Sequence, residues 1–276
     1  MKTWLEVALN GPWGKALQPG IPVSVTKIIA EGVACVREGA AIVHVHAYDE
    51  ASGKQRDEAG LYQRIIEGIR RQVDCVVYPT IPFAGERMSA EERFAAVESL
   101  ARRGLLEWSV VDPGSLNIAG LIYLNPDEHV RHGLALAARH GFHPAYAIYE
   151  PGFLRLGAAL ARAVERVPQP VYRFMFSEGF AFGFPPLEYA LDAYLQLLAA
   201  EAPGAPWMIS GLAVDVLQLA PAAISRGGHV RVGLEDAPFG SQRSNLEWVR
   251  AARRIIEEAG GTLASAEDVR HALKRT

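Results

Sequence analysis

Cysteine is nearly absent: the chain holds two, Cys35 and Cys75, with no CxxC spacing. That excludes a disulfide framework, and the expected state is two reduced core thiols, one in a helix and one in a strand. Charge of one sign is also missing. The formal net charge is −3 and no basic cluster stands out, which leaves no electrostatic footprint for nucleic acid. No stretch reaches the ~18 uninterrupted apolar residues of a membrane span. The opening "MKTWLEVALNG" lacks the apolar core and cleavage site of a signal peptide. The expected location is therefore the cytoplasm. No Ser-, Gly- or Pro-rich linker divides the chain, and no tandem repeat appears. What is present is ordinary for a soluble protein: 276 residues, 50% apolar and 21% charged.

Strand-like apolar runs recur near 3–10, 40–46, 74–79, 107–111, 144–149, 171–176, 206–210 and 229–235. They run hydrophobic with little alternation, as parallel strands buried on both faces do. Helical patterns with start and stop signals lie between them. "SAEE" at 89–92 and "SNLE" at 244–247 are capping boxes. "NPDE" at 125–128 offers Asn125 as a cap with Pro126 in the first helical position, and that helix is expected to end at His140 and Gly141. Eight strands alternating with helices over roughly 250 residues predict a (β/α)₈ TIM barrel. It is expected as a single domain over 1–276, the barrel spanning about 3–260 and a short extra C-terminal helix over about 265–275 packed on its outside. A doubly wound open sheet is the weaker alternative, because "NGPWGK" after the first strand does not fit GxGxxG.

Active sites of such barrels form at the carboxyl ends of the strands. The second predicted strand ends in "IVHVHAYD". With a period of two, His44 and His46 point to one side and Val43 and Val45 to the other. The eighth reads "HVRVGLED", which places Arg231, Gly233 and Glu235 toward the axis and Asp236 at the start of the next loop. Charges on an axis-facing parity are costly unless paired or bound to metal. Two imidazoles and a carboxylate are a common set for catalytic Zn²⁺, with a position left open for water or substrate. His129, His132, His140 and His271 fall on predicted helices, with structural or solvent roles. His143 and His229 precede strands, at the opposite face of the barrel.

The set "HVHAYD", "DPGSLN", "GGHVRVGLEDAPFG", "SNLEWV" and "ASAEDVRHAL" resembles the β-keto acid cleavage enzymes, the family of 3-keto-5-aminohexanoate cleavage enzyme. The likeness runs from "ALNG" at 8–11 to the last helix. It implies a TIM barrel carrying a divalent metal, usually zinc, held here by His44, His46 and Glu235. It implies reaction of a β-keto acid with acetyl-CoA as co-substrate, giving acetoacetate and an acyl-CoA. The metal would act as a Lewis acid on the enolate formed after proton loss. Asp236 would be the general base and Arg231 would keep it ionised and oriented. Thr80 in "YPTIP" and Ser109 are the implied hydroxyl contributors, and Asn10 and Trp13 are expected at the substrate pocket. Small molecules, not nucleic acid or membrane, are the implied partners, in a homo-oligomer, tetrameric in many members.

Three departures from the family pattern bear on substrate. Tyr48 stands where many members carry Arg. The loop after the first strand has Trp13 and no carboxylate, where members acting on amino substrates carry an acid. The fifth strand reads "PAYAIYE" where a Glu-rich stretch is usual. These predict a substrate without a primary amine, and the aromatic loop "SEGFAFGFPP" fits an apolar pocket. Coenzyme A leaves no readable motif. Arg243, at the start of the helix after the eighth strand, is the one candidate phosphate partner. Two rival readings remain: a metal-dependent hydrolase of the amidohydrolase kind, which needs further histidines after strands five and six, and a non-catalytic metal-binding barrel.

Overall fold

The computed structural model describes residues 2–83, 88–118 and 121–274. Eight parallel strands surround one axis: β1 (Leu5–Ala8), β2 (Ile42–Val45), β3 (Val76–Pro79), β4 (Trp108–Val110), β5 (His143–Ile148), β6 (Val171–Phe176), β7 (Trp207–Gly211) and β8 (His229–Val232). Hydrogen-bonded neighbours follow the order β3-β2-β1-β8-β7-β6-β5-β4. Among the described residues no ladder joins β3 to β4; there the rings of Tyr78 and Trp108 pack with centroids 5.7 Å apart. The TIM barrel expected from the strand count is thus present, nearly closed by its ladders.

Outward-facing Val7, Val43, Val77 and Val230 are buried under the surrounding helices. Those are α1 (Val25–Arg37), α2 (Ala59–Arg70), α3 (Ala90–Arg102), α4 (Asp127–His140), α5 (Pro151–Ala163), α6 (Glu188–Glu201), α7 (Ala220–Ser225) and α8 (Asn245–Glu258), with α9 (Ala266–Leu273) after them. The capping boxes at Ser89–Glu92 and Ser244–Glu247 form as read, and a third forms at Ser265–Asp268. Gly141 ends α4 in the left-handed region, at φ 78°. Asn125 does not cap that helix, because its side chain is spent elsewhere. It donates to the Gly114 carbonyl at 2.7 Å and accepts from Arg93 at 2.7 Å, fastening the loop after β4.

Two further expectations need correction. Helix α9 does not lie on the barrel's outside but covers its amino-terminal end. Arg270 pairs with Asp74 at 2.8 Å and with Glu107, and Asp268 accepts from Lys2 at 2.7 Å; Lys2, Asp74 and Glu107 all precede strands. β8 also stops at Val232, earlier than the run 229–235. At Gly233 (φ 137°) an added side chain would collide with the Ala8 carbonyl, so the chain turns there and pairing ends. Glu235 therefore reaches the axis from a turn. Only a turn can aim two consecutive residues, Glu235 and Asp236, toward one interior.

The amino-terminal end also holds a buried titratable group. His229 stacks on Trp4 at 4.0 Å, and its Nδ1 accepts from the Trp4 backbone N–H at 3.2 Å. Burial pushes its pKa down to about 3. The folded state therefore keeps it neutral, while the unfolded chain binds a proton below about 6.5. Its contribution to stability is present above about pH 6.5 and is lost as pH falls toward 3. Lys2, Asp268 and His271 line the same hollow. His229→Asn, which keeps an acceptor but cannot charge, should lose stability on acidification less steeply, by up to about 1.4 kcal/mol per pH unit. Urea unfolding from pH 7 to 4 reads this, and parallel slopes for the two proteins would refute it.

Candidate active site

The axis of the barrel is not apolar. Strand register sets His44 beside Ala8 and Tyr78, Glu6 beside Arg231, and Arg173 beside Ala147 and Met208. At the carboxyl-terminal end, His44, His46 and Glu235 each offer a ligand atom, all within 4.8 Å of one another. Glu235 Oε2 lies 3.5 Å from Nε2 of His44 and 3.5 Å from Nε2 of His46.

Each of the three is aimed by its neighbours. His46 follows β2 directly. Its Nδ1 is 2.8 Å from Gln55, which in turn bonds Asp57, and Asp57 accepts from Tyr62. Such outer contacts fix an imidazole's orientation and tautomer. Asn10 holds the His46 backbone on both sides, accepting from its N–H and donating to its carbonyl at 2.9 Å each. The His44 ring rests on Tyr78 at 4.5 Å. Glu235 accepts from Arg231 through Oε1 at 2.8 Å, which leaves Oε2 for the histidines.

Glu235 Oε2 and His46 Nε2 are buried with no hydrogen-bond partner. A buried polar atom left unmatched is costly, and here two of them share one focus. Burial opposes the Glu235 charge, yet Arg231 and the two imidazoles hold its carboxyl well below the usual range. Burial holds His44 far below the usual histidine value, so it is neutral and able to ligate. Burial pulls His46 down as well, but Glu235 and Gln55 outweigh it and raise the group. The focus therefore attracts positive charge, which a metal ion supplies as readily as a proton. The donor set and the unpartnered atoms fit a divalent cation.

Asp236 stands behind this group and is 2% exposed. Arg231 grips its carboxylate through Nε at 2.9 Å and Nη2 at 2.7 Å, and the Ser210 hydroxyl donates at 2.9 Å. Arg231 also reaches Glu6 at 3.1 Å, and the Tyr78 hydroxyl donates to the same Glu6 oxygen. Arg231, Glu235, His44, His46 and Thr80 line an inner cavity of about 60 Å³, as do Asp112, Tyr123, Tyr149 and Arg173. Through Trp13, Phe83 and Ile118 it opens into a hollow of about 630 Å³, to which Leu121, Phe180 and Phe239 contribute.

Residues 2–274 match the sequence profile of the beta-keto acid cleavage enzymes. The chain belongs to the β-keto acid cleavage enzyme family. It is 24% identical to the 3-keto-5-aminohexanoate cleavage enzyme of Fusobacterium nucleatum, over 94% of this chain and 92% of that one. It is 25% identical to the 3-oxoadipate:acetyl-CoA acetyltransferase of Cupriavidus necator, over 96% and 92%. Among solved structures, ObcA in a binary complex with oxaloacetate superposes with a TM-score of 0.77 at 17% identity, over 93% of this chain and 67% of that one. A type I 3-dehydroquinate dehydratase from Clostridium difficile does so at 0.59 and 11%, over 93% of each. These two likenesses speak for the barrel alone.

In this β-keto acid cleavage enzyme the remaining sequence-predicted residues divide. Thr80 and Trp13 line the inner cavity, and the Trp13 indole N–H donates to the Glu235 carbonyl at 2.7 Å. Tyr48 supports that loop, its hydroxyl donating to the Gly11 carbonyl at 2.5 Å. Asn10 is fully buried, and its amide is spent on His46 and the Pro22 carbonyl. Its place is under the His46 backbone instead of at the substrate. Ser109 is fully buried and absent from the cavity lining, because Val110 in β4 and Asp112 just past it take the inward positions. Arg243 lies over the Trp248 ring at 4.9 Å and 3.6 Å from Asp215.

Sequence reasoning missed Asp112, Arg173 and Glu6. Asp112 accepts from the Tyr123 hydroxyl and from the Ala147 N–H, both at 2.6 Å. Each had a signal: a lone charge inside an apolar strand, as in "VYRFMF" and "WLEVAL", or just past one in "SVVDPG". The residues following β5 and β6 are Tyr149 and Glu150, and Ser177 and Glu178, so the further histidines that the hydrolase reading needs are not there.

Proposed function

We propose that this enzyme combines a β-keto acid with acetyl-CoA, giving acetoacetate and a new acyl-CoA, with a divalent cation held by His44, His46 and Glu235. Zinc is the first candidate for two imidazoles and one carboxylate. Bound there, the ion would supply Lewis-acid polarisation of substrate oxygens. Asp236 takes the proton from the carbon between the keto and carboxyl groups. Arg231 and Ser210 hold that carboxylate in its orientation for the transfer. The deprotonated carbon attacks the thioester carbonyl of acetyl-CoA, and the C–S bond breaks to expel CoA as its thiolate. That thiolate adds to the former keto carbon, the adjoining C–C bond breaks to leave the new acyl-CoA, and the acetoacetate carbanion takes back the proton held by Asp236. The supporting observation is the convergence of three buried ligand atoms at the carboxyl end of the barrel, next to an Arg–Asp pair, in a chain that matches the family along its length. A cytoplasmic homo-oligomer acting on small molecules is the setting proposed.

The substrate proposed has no primary amine. Trp13 occupies the loop after β1, and among the described residues the one further carboxylate lining the inner cavity, Asp112, already has both oxygens hydrogen-bonded. An ammonium group would enter the cavity without a free counter-ion, at a cost of several kcal/mol. A coupled acetoacetate assay with acetyl-CoA and a panel of β-keto acids tests both statements. Neutral-tailed acids should be turned over at least about tenfold better, in kcat/KM, than 3-keto-5-aminohexanoate. Preference for the amino acid would reverse the assignment, and silence across a broad panel with metal-loaded enzyme would sink the reaction itself.

A further inference from the structure

Two buried guanidinium groups line the inner cavity, and they are satisfied very differently. Arg231 makes contacts of 2.7, 2.8, 2.9 and 3.1 Å, every one to a carboxylate oxygen of Asp236, Glu235 or Glu6. Arg173, which rises from β6 and is 2% exposed, makes none shorter than 3.1 Å. These are 3.4 Å to the Tyr146 carbonyl, 3.1 Å to the Ala145 carbonyl, 3.2 Å to the Tyr78 hydroxyl and 3.4 Å to Asp112.

Asp112 is a poor counter-ion for it. That carboxylate is held at 2.6 Å by the Tyr123 hydroxyl and at 2.6 Å by the Ala147 N–H, while Arg173 comes no closer to it than 3.4 Å, on the oxygen that Ala147 already occupies. A buried cation without a close anion is expensive. Charge-assisted N–H···O⁻ bonds normally close to about 2.7–2.9 Å. Val110, Ala147, Met175 and Leu212 line the same cavity, so the local dielectric is low and an incoming anion would be strongly felt. No step of the mechanism above uses Arg173.

We propose that Arg173 binds the carboxylate of the β-keto acid, directing the keto oxygen toward His44, His46 and Glu235. The proposal rests on the reaction class given above and adds an orientation to it: the acid group is anchored by protein, in the cavity that the histidines also line. A planar guanidinium can match the two carboxylate oxygens in a way a neutral side chain cannot.

Acetoacetate and its neutral ester, methyl acetoacetate, are probes of nearly equal shape that differ in the charge Arg173 would read. Their binding to metal-loaded protein can be titrated by the change in tryptophan fluorescence, with Trp13 at the cavity. In Arg173→Gln, acetoacetate affinity should fall about 10- to 100-fold, while methyl acetoacetate binds as in the parent and metal content is unchanged. Arg173→Lys, which keeps the charge but not the fork, should show a smaller loss with the same selectivity, and it decides the matter if Arg173→Gln does not fold. Equal weakening of both probes, or unchanged acetoacetate binding in a folded variant, overturns the assignment. Failure of the reaction class would look different: the parent would form no acetoacetate from any β-keto acid, while the charge-selective effect of the Arg173 variants on binding remained.

Discussion

His44→Ala is expected to lose bound metal and turnover together, with kcat/KM falling by roughly a thousandfold or more. The reasoning is geometric. Three ligand atoms within 4.8 Å of one another are the smallest set that fixes a catalytic ion while leaving a position open. Removing one leaves His46 and Glu235, two groups that cannot define the site. Even contacts that merely orient a ligand cost 10- to 100-fold in metal affinity when lost, so loss of a ligand itself must cost more. His44 is buried against Tyr78, and truncating it also leaves a void. The thermal midpoint of the metal-free protein should therefore be compared with that of metal-free parent. Metal analysis by mass spectrometry after purification without chelators, together with the acetoacetate assay, reads the effect. Full activity in a metal-free His44→Ala enzyme would remove His44 from the ligand set.

Asp236→Asn should separate chemistry from metal binding. The amide oxygen can still accept from Arg231 Nε and the Ser210 hydroxyl, but the NH2 gives up the bond from Arg231 Nη2 and the group cannot take a proton. Positioned general bases contribute about 10²- to 10⁴-fold, and a loss of that size is expected in kcat. Metal stoichiometry should stay at the parental value, since Glu235 and not Asp236 belongs to the three-atom focus. Solvent hydrogen exchange at the carbon between keto and carboxyl groups, followed by NMR without acetyl-CoA, isolates the proton step. Exchange should slow as far as turnover does. Parental exchange in Asp236→Asn would hand the proton to another group.

Much of this was legible before any coordinates. Parallel strands buried on both faces betray themselves as short apolar runs, and capping boxes are local chemistry, so the barrel and several helix starts could be read directly. His44 and His46 could be paired because strand periodicity alone decides that they share a side. Glu235 was found by the same rule applied where it does not hold: the strand ends at Val232, and Gly233 turns the chain. Family likeness, not alternation, is what points to that residue.

What escaped notice depended on contacts across the barrel. Asn10 read as a substrate residue because a polar side chain after a strand end has no visible partner in one dimension; its partner is the His46 backbone, 36 positions away. Ser109 faces away from the axis because Val110 in β4 and Asp112 just past it face it, and an unlabelled three-residue strand does not announce its parity. Arg173 and Asp112 lie 61 positions apart in sequence, and only closure of the sheet reveals how loosely they are paired.

Diffraction from zinc-loaded crystals at the zinc absorption edge tests the centre most directly. One anomalous peak is expected about 2.0–2.2 Å from an imidazole nitrogen of His44, an imidazole nitrogen of His46 and a carboxylate oxygen of Glu235. A map with no peak among those three side chains, or with zinc bound elsewhere while they stand apart, would contradict it.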